Sequence, residues 1–283
     1  MLFRSSITVA GFNFGAVIGP PVIQWLISEY DWRRAFLVIG LVPLLVDIPL
    51  AFFTRKGPGQ MGIEPFEGME ATKPHQLRTD FPDQNLSFSR IIKTGRFWIF
   101  GALQFSFGFC MQIIIIHIVP HADDIGIPAI IAAGILSVNA GFRIIGNLTI
   151  GFVSEVLGSR RVLTGSLIFL TSSLVWLIFA SDIPGFILFA VIFGVMSGAV
   201  IPLLTLVPAE LFGLNNLGII SGAFLLAGTL GGSIGSPLAG FIYDVSKSYE
   251  IAFITGASIG LAAIILSVAL LRLKPRETPT SAV

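Results

Sequence analysis

Eight apolar segments, each about 20 residues or longer, dominate the chain. At 1.5 Å per residue, each one as a helix reaches across a hydrocarbon core of about 30 Å. The segments are 7–28, 35–54, 97–119, 127–153, 162–181, 184–208, 217–243 and 251–271. Membrane β-strands are about half that length, which excludes a barrel. In lipid every backbone N–H and C=O must be paired within the protein, and a helix does this locally. The predicted fold class is therefore an all-α, multi-pass membrane protein with a lipid bilayer as its obligate surroundings. Composition agrees: 54% of the 283 residues are hydrophobic and 12% charged, against about 25% charged in soluble domains. The first segment follows Arg4 and runs on to about residue 28 without a convincing cleavage site, so it reads as a retained helix.

Charge placement predicts orientation. Arg4, the seven Lys and Arg of 55–96, Arg160 with Arg161, and Arg272, Lys274 and Arg276 all fall on one set of connections. The other set holds only Arg33, Arg34 and Lys247. Positive residues stay on the cytoplasmic side, so both termini are expected there, in a plasma (cytoplasmic) membrane. Residues 55–96, with Gly57, Pro58, Gly59, Gly62, Pro65, Pro74 and Pro82 among mixed charges, read as a cytoplasmic linker. The expected domains are 1–54 (two helices), the linker 55–96, a six-helix unit 97–271, and a tail 272–283.

An internal repeat gives this division meaning. Residues 11–36 overlie residues 228–253 at a constant offset without a gap. Gly11 falls on Gly228, Gly15 on Gly232, Pro20 on Pro237, and Ala35-Phe36 on Ala252-Phe253. Weak internal repeats mark secondary transporters. Spans 1–2 then correspond to spans 7–8, so spans 3–8 make one six-helix unit. Spans 1–2 are the end of a preceding unit, whose other four helices are expected on an N-terminal piece, possessed by a longer gene product or a separate partner chain. Gly11, Gly15 and Gly19, like Gly228, Gly232 and Ser236, recur every fourth residue, a spacing that lets helices approach closely. Pro20, Pro21 and Pro237 weaken the local hydrogen-bond ladder. Static packing and a gating hinge both fit these residues.

The motif Gly151-Phe-Val-Ser-Glu155-Val-Leu-Gly158-Ser-Arg160-Arg161 resembles a cytoplasmic signature of the major facilitator superfamily, with Glu155 where Asp is usual. The Gly11–Pro20 pattern is similar to that family's glycine-proline signature in its fifth helix. Asp31-Trp-Arg-Arg-Ala-Phe36 resembles the loop into the sixth helix, and Pro208-Ala-Glu210-Leu-Phe-Gly213 the loop before the eleventh. The resemblance implies a major-facilitator-like bundle in which the eight transmembrane helices match helices five to twelve of twelve. It also implies transport between two pseudo-symmetric halves. Asn139-Ala-Gly-Phe-Arg143-Ile-Ile-Gly146-Asn147 is similar to the eighth helix of monocarboxylate and oxalate/formate transporters. Those carry Arg at the position of Asn147, one turn beyond Arg143.

Arg143 is the sole ionisable residue between Asp124 and Glu155. It stands about 18 Å along a helix from Glu155, near the bilayer midplane. Charge at that depth is costly and marks a partner or a solute path. A guanidinium suits a carboxylate or phosphate, and pairing to a structural carboxylate or to helix carbonyls is the other reading. Asn139, Asn147, Gln104 and Gln112 are intramembrane polar groups that line a path or join helices.

Asp47, between Pro43 and Pro49, and His117, one turn before His121, are the proton-coupling candidates. Local packing and an interfacial position are their simpler roles. Metal binding would also need Asp123 and Asp124, and no metal site is expected. Glu155, Arg160 and Arg161 at a short cytoplasmic turn suit a conformational latch.

Cys110, the single cysteine, excludes an internal disulfide and reads as a small buried hydrophobe. No phosphate-cradling Gly-x-x-x-x-Gly-Lys motif occurs, and the His, Asp and Glu residues are scattered. The expectation is a transporter without a cofactor, an enzymatic site or nucleic-acid binding. It would move a small solute, a monocarboxylate-like organic anion, by alternating access. A non-transporting membrane subunit or sensor that requires a partner is the alternative.

Overall fold

The computed structural model describes residues 2–53, 88–213 and 216–272, with side-chain surroundings for residues 15–50, 88–213 and 216–272. The described residues form helices and turns with no strand. The helices are α1 (Leu2–Tyr30), α2 (Trp32–Phe53), the single turn α3 (Phe88–Ile91), α4 (Gly95–Asp124), α5 (Ala129–Leu157), α6 (Ser159–Phe179), α7 (Ile183–Phe212), α8 (Leu217–Ser246) and α9 (Glu250–Arg272). Each of the eight expected spans overlaps one long helix. Helices α4 to α9 are long and apolar enough to cross a membrane.

Several helices outrun their apolar segment at one end by about one turn, as α4 does at Asp124 and α5 at Leu157, because a helix end projecting beyond hydrocarbon keeps its own ladder. The expected linker 55–96 falls outside the described residues as far as 87, and its end contains α3 and the start of α4. The tail beyond 272 also lies outside them.

Packing divides the chain into two units: residues 22–80, and residues 1–21 with 81–283. In the smaller unit the loop expected at 29–34 contracts to Asp31, with φ of 103°. Asp tolerates this left-handed conformation better than most residues, and its carboxylate accepts from the Trp32 amide at 2.7 Å. Ala35 is buried, whereas Leu41, Leu45 and Asp47 are exposed.

In the larger unit α4 lies against α8 and α9, α5 against α7, and α6 against α7 and α9. Two apolar cores occupy its two ends. One gathers Phe109, Ile113, Leu174, Phe186, Phe189 and Phe253. The other gathers Phe100, Leu103, Leu163, Val200, Leu203 and Phe224. Cys110 is buried beside α9 and donates to the Gly256 carbonyl at 3.3 Å. Between α5 and α6 the connection is Gly158 alone, with φ of +86°, a value that favours a residue without Cβ. This turn places Arg160 and Arg161 directly at the start of α6.

Candidate functional site

Helices α5 and α7 touch backbone to backbone at three glycines. A Cβ on Gly198 would run into the carbonyl oxygen of Arg143, and one on Gly146 into that of Val195. A Cβ on Gly194 would stand 2.5 Å from the Asn139 carbonyl. This seam is where the expected Arg143 and Asn139 sit. Asn139 is buried at 4% exposure and donates its Nδ2 to the Ala190 carbonyl at 3.3 Å. Its Oδ1 accepts from Nη2 of Arg143 at 3.0 Å.

Arg143 is half-buried, and its Nε is buried without a partner. Among the described residues no carboxylate pairs with it; the ion pair found there joins Arg160 and Glu210. Arg143 stands at the middle of the 29-residue α5, about 21 Å from either end. Asn147, one turn on, is also half-buried.

A cavity of about 810 Å³ opens between α4, α7 and α8. One stripe of α4, from Gln104 through Gly108 to Gln112, forms one wall. Ser221, Gly228, Gly232 and Ser236 belong to the stripe of α8 that faces it, and Thr205 comes from α7. No Asp, Glu, Lys, Arg or His lines it. Gly228 and Gly232 make room for the glutamines: added Cβ atoms would lie 3.3 Å from Cγ of Gln104 and 2.5 Å from Cγ of Gln112. Oε1 of Gln104 and Oγ of Ser221 are buried without partners.

The structure thus separates the polar residues anticipated in the sequence. Gln104 and Gln112 line the cavity, whereas Arg143, Asn139 and Asn147 do not. Helix α7 joins the two places: Gly198 packs on Arg143, and Ile201, one turn later, lines the cavity.

The close α4–α8 approach rests partly on glycines that sequence reading did not single out. Cβ atoms on Gly108 and Gly231 would run into the Gly228 and Phe105 carbonyls, and one on Gly235 would come within 2.7 Å of the Phe109 carbonyl. At Gly15 and Gly19 an added Cβ meets nothing within 4 Å among the described residues. Val17 instead faces Gly141 of α5, 4.0 Å from a Cβ placed there. Gly11 lies on α1, and its surroundings fall outside the described residues. Pro20 and Pro21 are inside α1, and Pro237 is inside α8.

At the base of the six-helix unit, Ser159 donates to Oε1 of Glu210 at 2.5 Å. Nε of Arg160 stands 3.9 Å from Oε2 of the same carboxylate. Glu155 and Arg161 are exposed. The start of α6 is therefore tied to the end of α7 through Glu210, a residue the sequence offered only as part of a motif. A carboxylate in a helix's last turns is disfavoured by the macrodipole, and that was the available hint of a cationic partner.

At the opposite end Nε2 of His117 bonds the Ser236 carbonyl at 2.9 Å, one residue before Pro237. A carbonyl only accepts, so this nitrogen carries the proton. His121 is enclosed by Phe253, Phe186 and Tyr249, with ring centroids at 4.9, 5.5 and 5.7 Å. Tyr243 stacks on Tyr249 at 4.3 Å and donates to Asp124 at 3.0 Å. Burial, and then the Asp124 charge, push the Tyr249 phenol above its ordinary value. Among the described residues no three His, Cys, Asp or Glu gather as metal ligands.

Comparison with known proteins gives this arrangement a family. The Major Facilitator Superfamily model matches residues 2–151 and 135–282. Monocarboxylate transporter 13 of Bos taurus is 24% identical over 90% of this chain and 57% of its own length. The uncharacterised MFS-type transporter YcxA of Bacillus subtilis is 28% identical over 90% of this chain and 61% of its own. The oxalate:formate antiporter of Oxalobacter formigenes is 24% identical over 83% and 54%. The chain therefore spans a little over half the length of these relatives. The crystal structure of the MFS transporter FucP in the outward conformation shares the fold, with a TM-score of 0.55 at 18% identity, over 86% of this chain and 57% of that one. This chain is an integral, multi-pass membrane protein that belongs to the Major Facilitator Superfamily.

Proposed function

We propose that the chain serves a secondary transporter of small organic anions of the monocarboxylate kind, working by alternating access. One observation carries the reading: Arg143 is a cation at mid-helix with a neutral amide as its side-chain partner and no described carboxylate beside it. A cation so placed favours an anion, and its Nη groups suit the two oxygens of a carboxylate. The names of the relatives, monocarboxylate transporter and oxalate:formate antiporter, support the same solute class.

Movement is assigned to the glycine seams, where backbones slide without side chains between them. The Glu210 tie to Ser159 and Arg160 is the latch that favours one conformation, and Glu155 and Arg161 extend its charge at the membrane surface. Proton coupling is assigned to His117, which grips α8 beside Pro237, ahead of Asp47, which is exposed on α2. The charge bias of the connections supports a cytoplasmic position for the Arg160 end, and the plasma membrane is the proposed residence.

The test is uptake of labelled propionate into proteoliposomes holding the full chain, in competition with other solutes. Short carboxylates should compete, and propionamide should not. Equal competition by the amide, or preference for cations, would remove the anion reading.

A further inference from the structure

The turn that leads into α4 carries charge that the transport reading leaves unused. Arg90, Lys93 and Arg96 fall together there, and no Asp or Glu occurs from residue 84 to residue 122. The turn is held against the bundle by its apolar side. Ile91 is 1% exposed and shares a core with Phe97, Phe100 and Leu270. Phe88 meets Phe97 edge-on, with ring centroids 6.2 Å apart, and Thr94 donates its hydroxyl to the Ile91 carbonyl at 2.6 Å. With Ile91 turned inward, Arg90 and Lys93 are exposed.

More positive charge gathers at the same end. Leu270 enters the core that holds Ile91, which brings the exposed Arg272 to this end of the bundle. Arg96 stands near enough to Arg160 for their like charges to repel. The Glu210 carboxylate is already engaged by Ser159 and Arg160, and Arg90 and Lys93 take no part in that pair.

Trp98 gives this surface its second character. It is 64% exposed, and its Nε1 donates to the Ile92 carbonyl at 2.9 Å. That bond fixes the indole beside the turn bearing Lys93. Tryptophan is enriched where hydrocarbon meets headgroups, because its ring is apolar and its N–H is polar.

We infer that this surface binds an anionic phospholipid, with Arg90 and Lys93 holding the phosphate and Trp98 lying along the glycerol and upper acyl region. Lys and Arg side chains take a phosphate from a lipid or from solution alike. The exposed indole favours the lipid, since a free phosphate gains nothing from an apolar ring. The inference is independent of the solute held at Arg143.

The experiment measures, by native mass spectrometry of the full chain in detergent, the lipid retained from an equimolar mixture of phosphatidylglycerol and phosphatidylcholine. Each Lys or Arg near a membrane surface strengthens anionic-lipid binding about fivefold. Wild type should therefore favour phosphatidylglycerol by about tenfold or more. Arg90→Gln with Lys93→Gln should bring the ratio to within about threefold. Arg33→Gln with Arg34→Gln removes the same charge between α1 and α2, and should keep the wild-type ratio. Added inorganic phosphate should leave the ratio unchanged. Wild-type indifference to the headgroup would overturn the inference, as would an unaltered ratio in the Arg90/Lys93 variant. Equal loss in both double variants would also overturn it, by making the attraction one of net charge. Displacement of phosphatidylglycerol by phosphate would assign the cations to a soluble anion and refute the lipid. Thermal unfolding in phosphatidylcholine alone should match between wild type and the Arg90/Lys93 variant, and a less stable variant there would make the pair structural and refute the assignment.

Discussion

Arg143 donates Nη2 to Oδ1 of Asn139 at 3.0 Å, one turn earlier on α5, and Asn139 in turn donates Nδ2 to the Ala190 carbonyl on α7. The charged residue is thus fixed by a neutral amide that is itself anchored to a second helix. Such an arrangement orients a guanidinium without neutralising it, leaving its charge for a solute. Asn139→Leu removes both bonds. The expected result is a rise of about tenfold in KM for the carboxylate, with about 1–3 kcal/mol lost in stability from the unpaired groups. Uptake kinetics together with thermal unfolding in detergent check it, and an unchanged KM would count against the positioning role.

The glycine seam makes a prediction of opposite signs. Gly198→Ala places a methyl group against the Arg143 carbonyl, and should destabilise by about 1–3 kcal/mol or more because two backbones must part. Gly134→Ala and Gly165→Ala, where a Cβ would meet nothing within 4 Å, should be neutral or stabilise by up to about 1 kcal/mol, since helical glycine costs more than alanine. Thermal unfolding of the three variants separates the cases.

Glu210→Gln removes the charge facing Arg160 while keeping an acceptor for Ser159. The pair is partly exposed, at 17% for Arg160 and 26% for Glu210, so about 0.5–1 kcal/mol is at stake. The rate of alkylation at a cavity thiol introduced by Ser233→Cys should then change by roughly two- to fivefold, as the conformational balance shifts. Cys110 is buried and should contribute little background. Glu155→Gln, at an exposed position, should change the rate less. The reverse order would transfer the latch to Glu155.

His117 tests proton coupling. Its Nε2–H holds the Ser236 carbonyl in the neutral and the protonated ring alike, so protonation adds charge without breaking the tie. The groups facing it are the Tyr249 ring at 5.4 Å and, one turn on, His121. His117→Gln keeps a donor for the Ser236 carbonyl and removes the imidazole. The expected outcome is uptake that no longer responds to an imposed proton gradient, with near-wild-type exchange of solute at equilibrium. An unaltered response to the gradient would assign coupling elsewhere.

The sequence revealed what is local and left unread what depends on which helices meet. Eight spans were legible because apolar length is written residue by residue. Their ends were not, because α4 keeps its ladder through His121 and Asp124 after the hydropathy has fallen. Arg143 was legible as a lone charge. Its Asn139 partner was within reach of helical spacing, but the bond from Asn139 to Ala190 was not. The glycine pattern identified Gly228 and Gly232 but missed Gly108, Gly194 and Gly198, because one-turn spacing is common in a chain with 31 glycines. Glu210 lies far from Arg160 in sequence, and only the α6–α7 contact joins them. The same holds for Ser221, which enters the cavity from the helix that faces Gln104.

The central claim is that Arg143 holds the solute's carboxylate, and the most direct measurement compares carboxylate uptake in wild type, Arg143→Lys and Arg143→Gln at solute concentrations well below KM. Removing one partner of a buried charge contact costs about 2–5 kcal/mol, so Arg143→Gln should take up carboxylate about thirtyfold more slowly or worse. Arg143→Lys, which keeps the charge without the planar fork, should fall between the two. Wild-type uptake by Arg143→Gln, in protein that folds and inserts normally, would contradict the account.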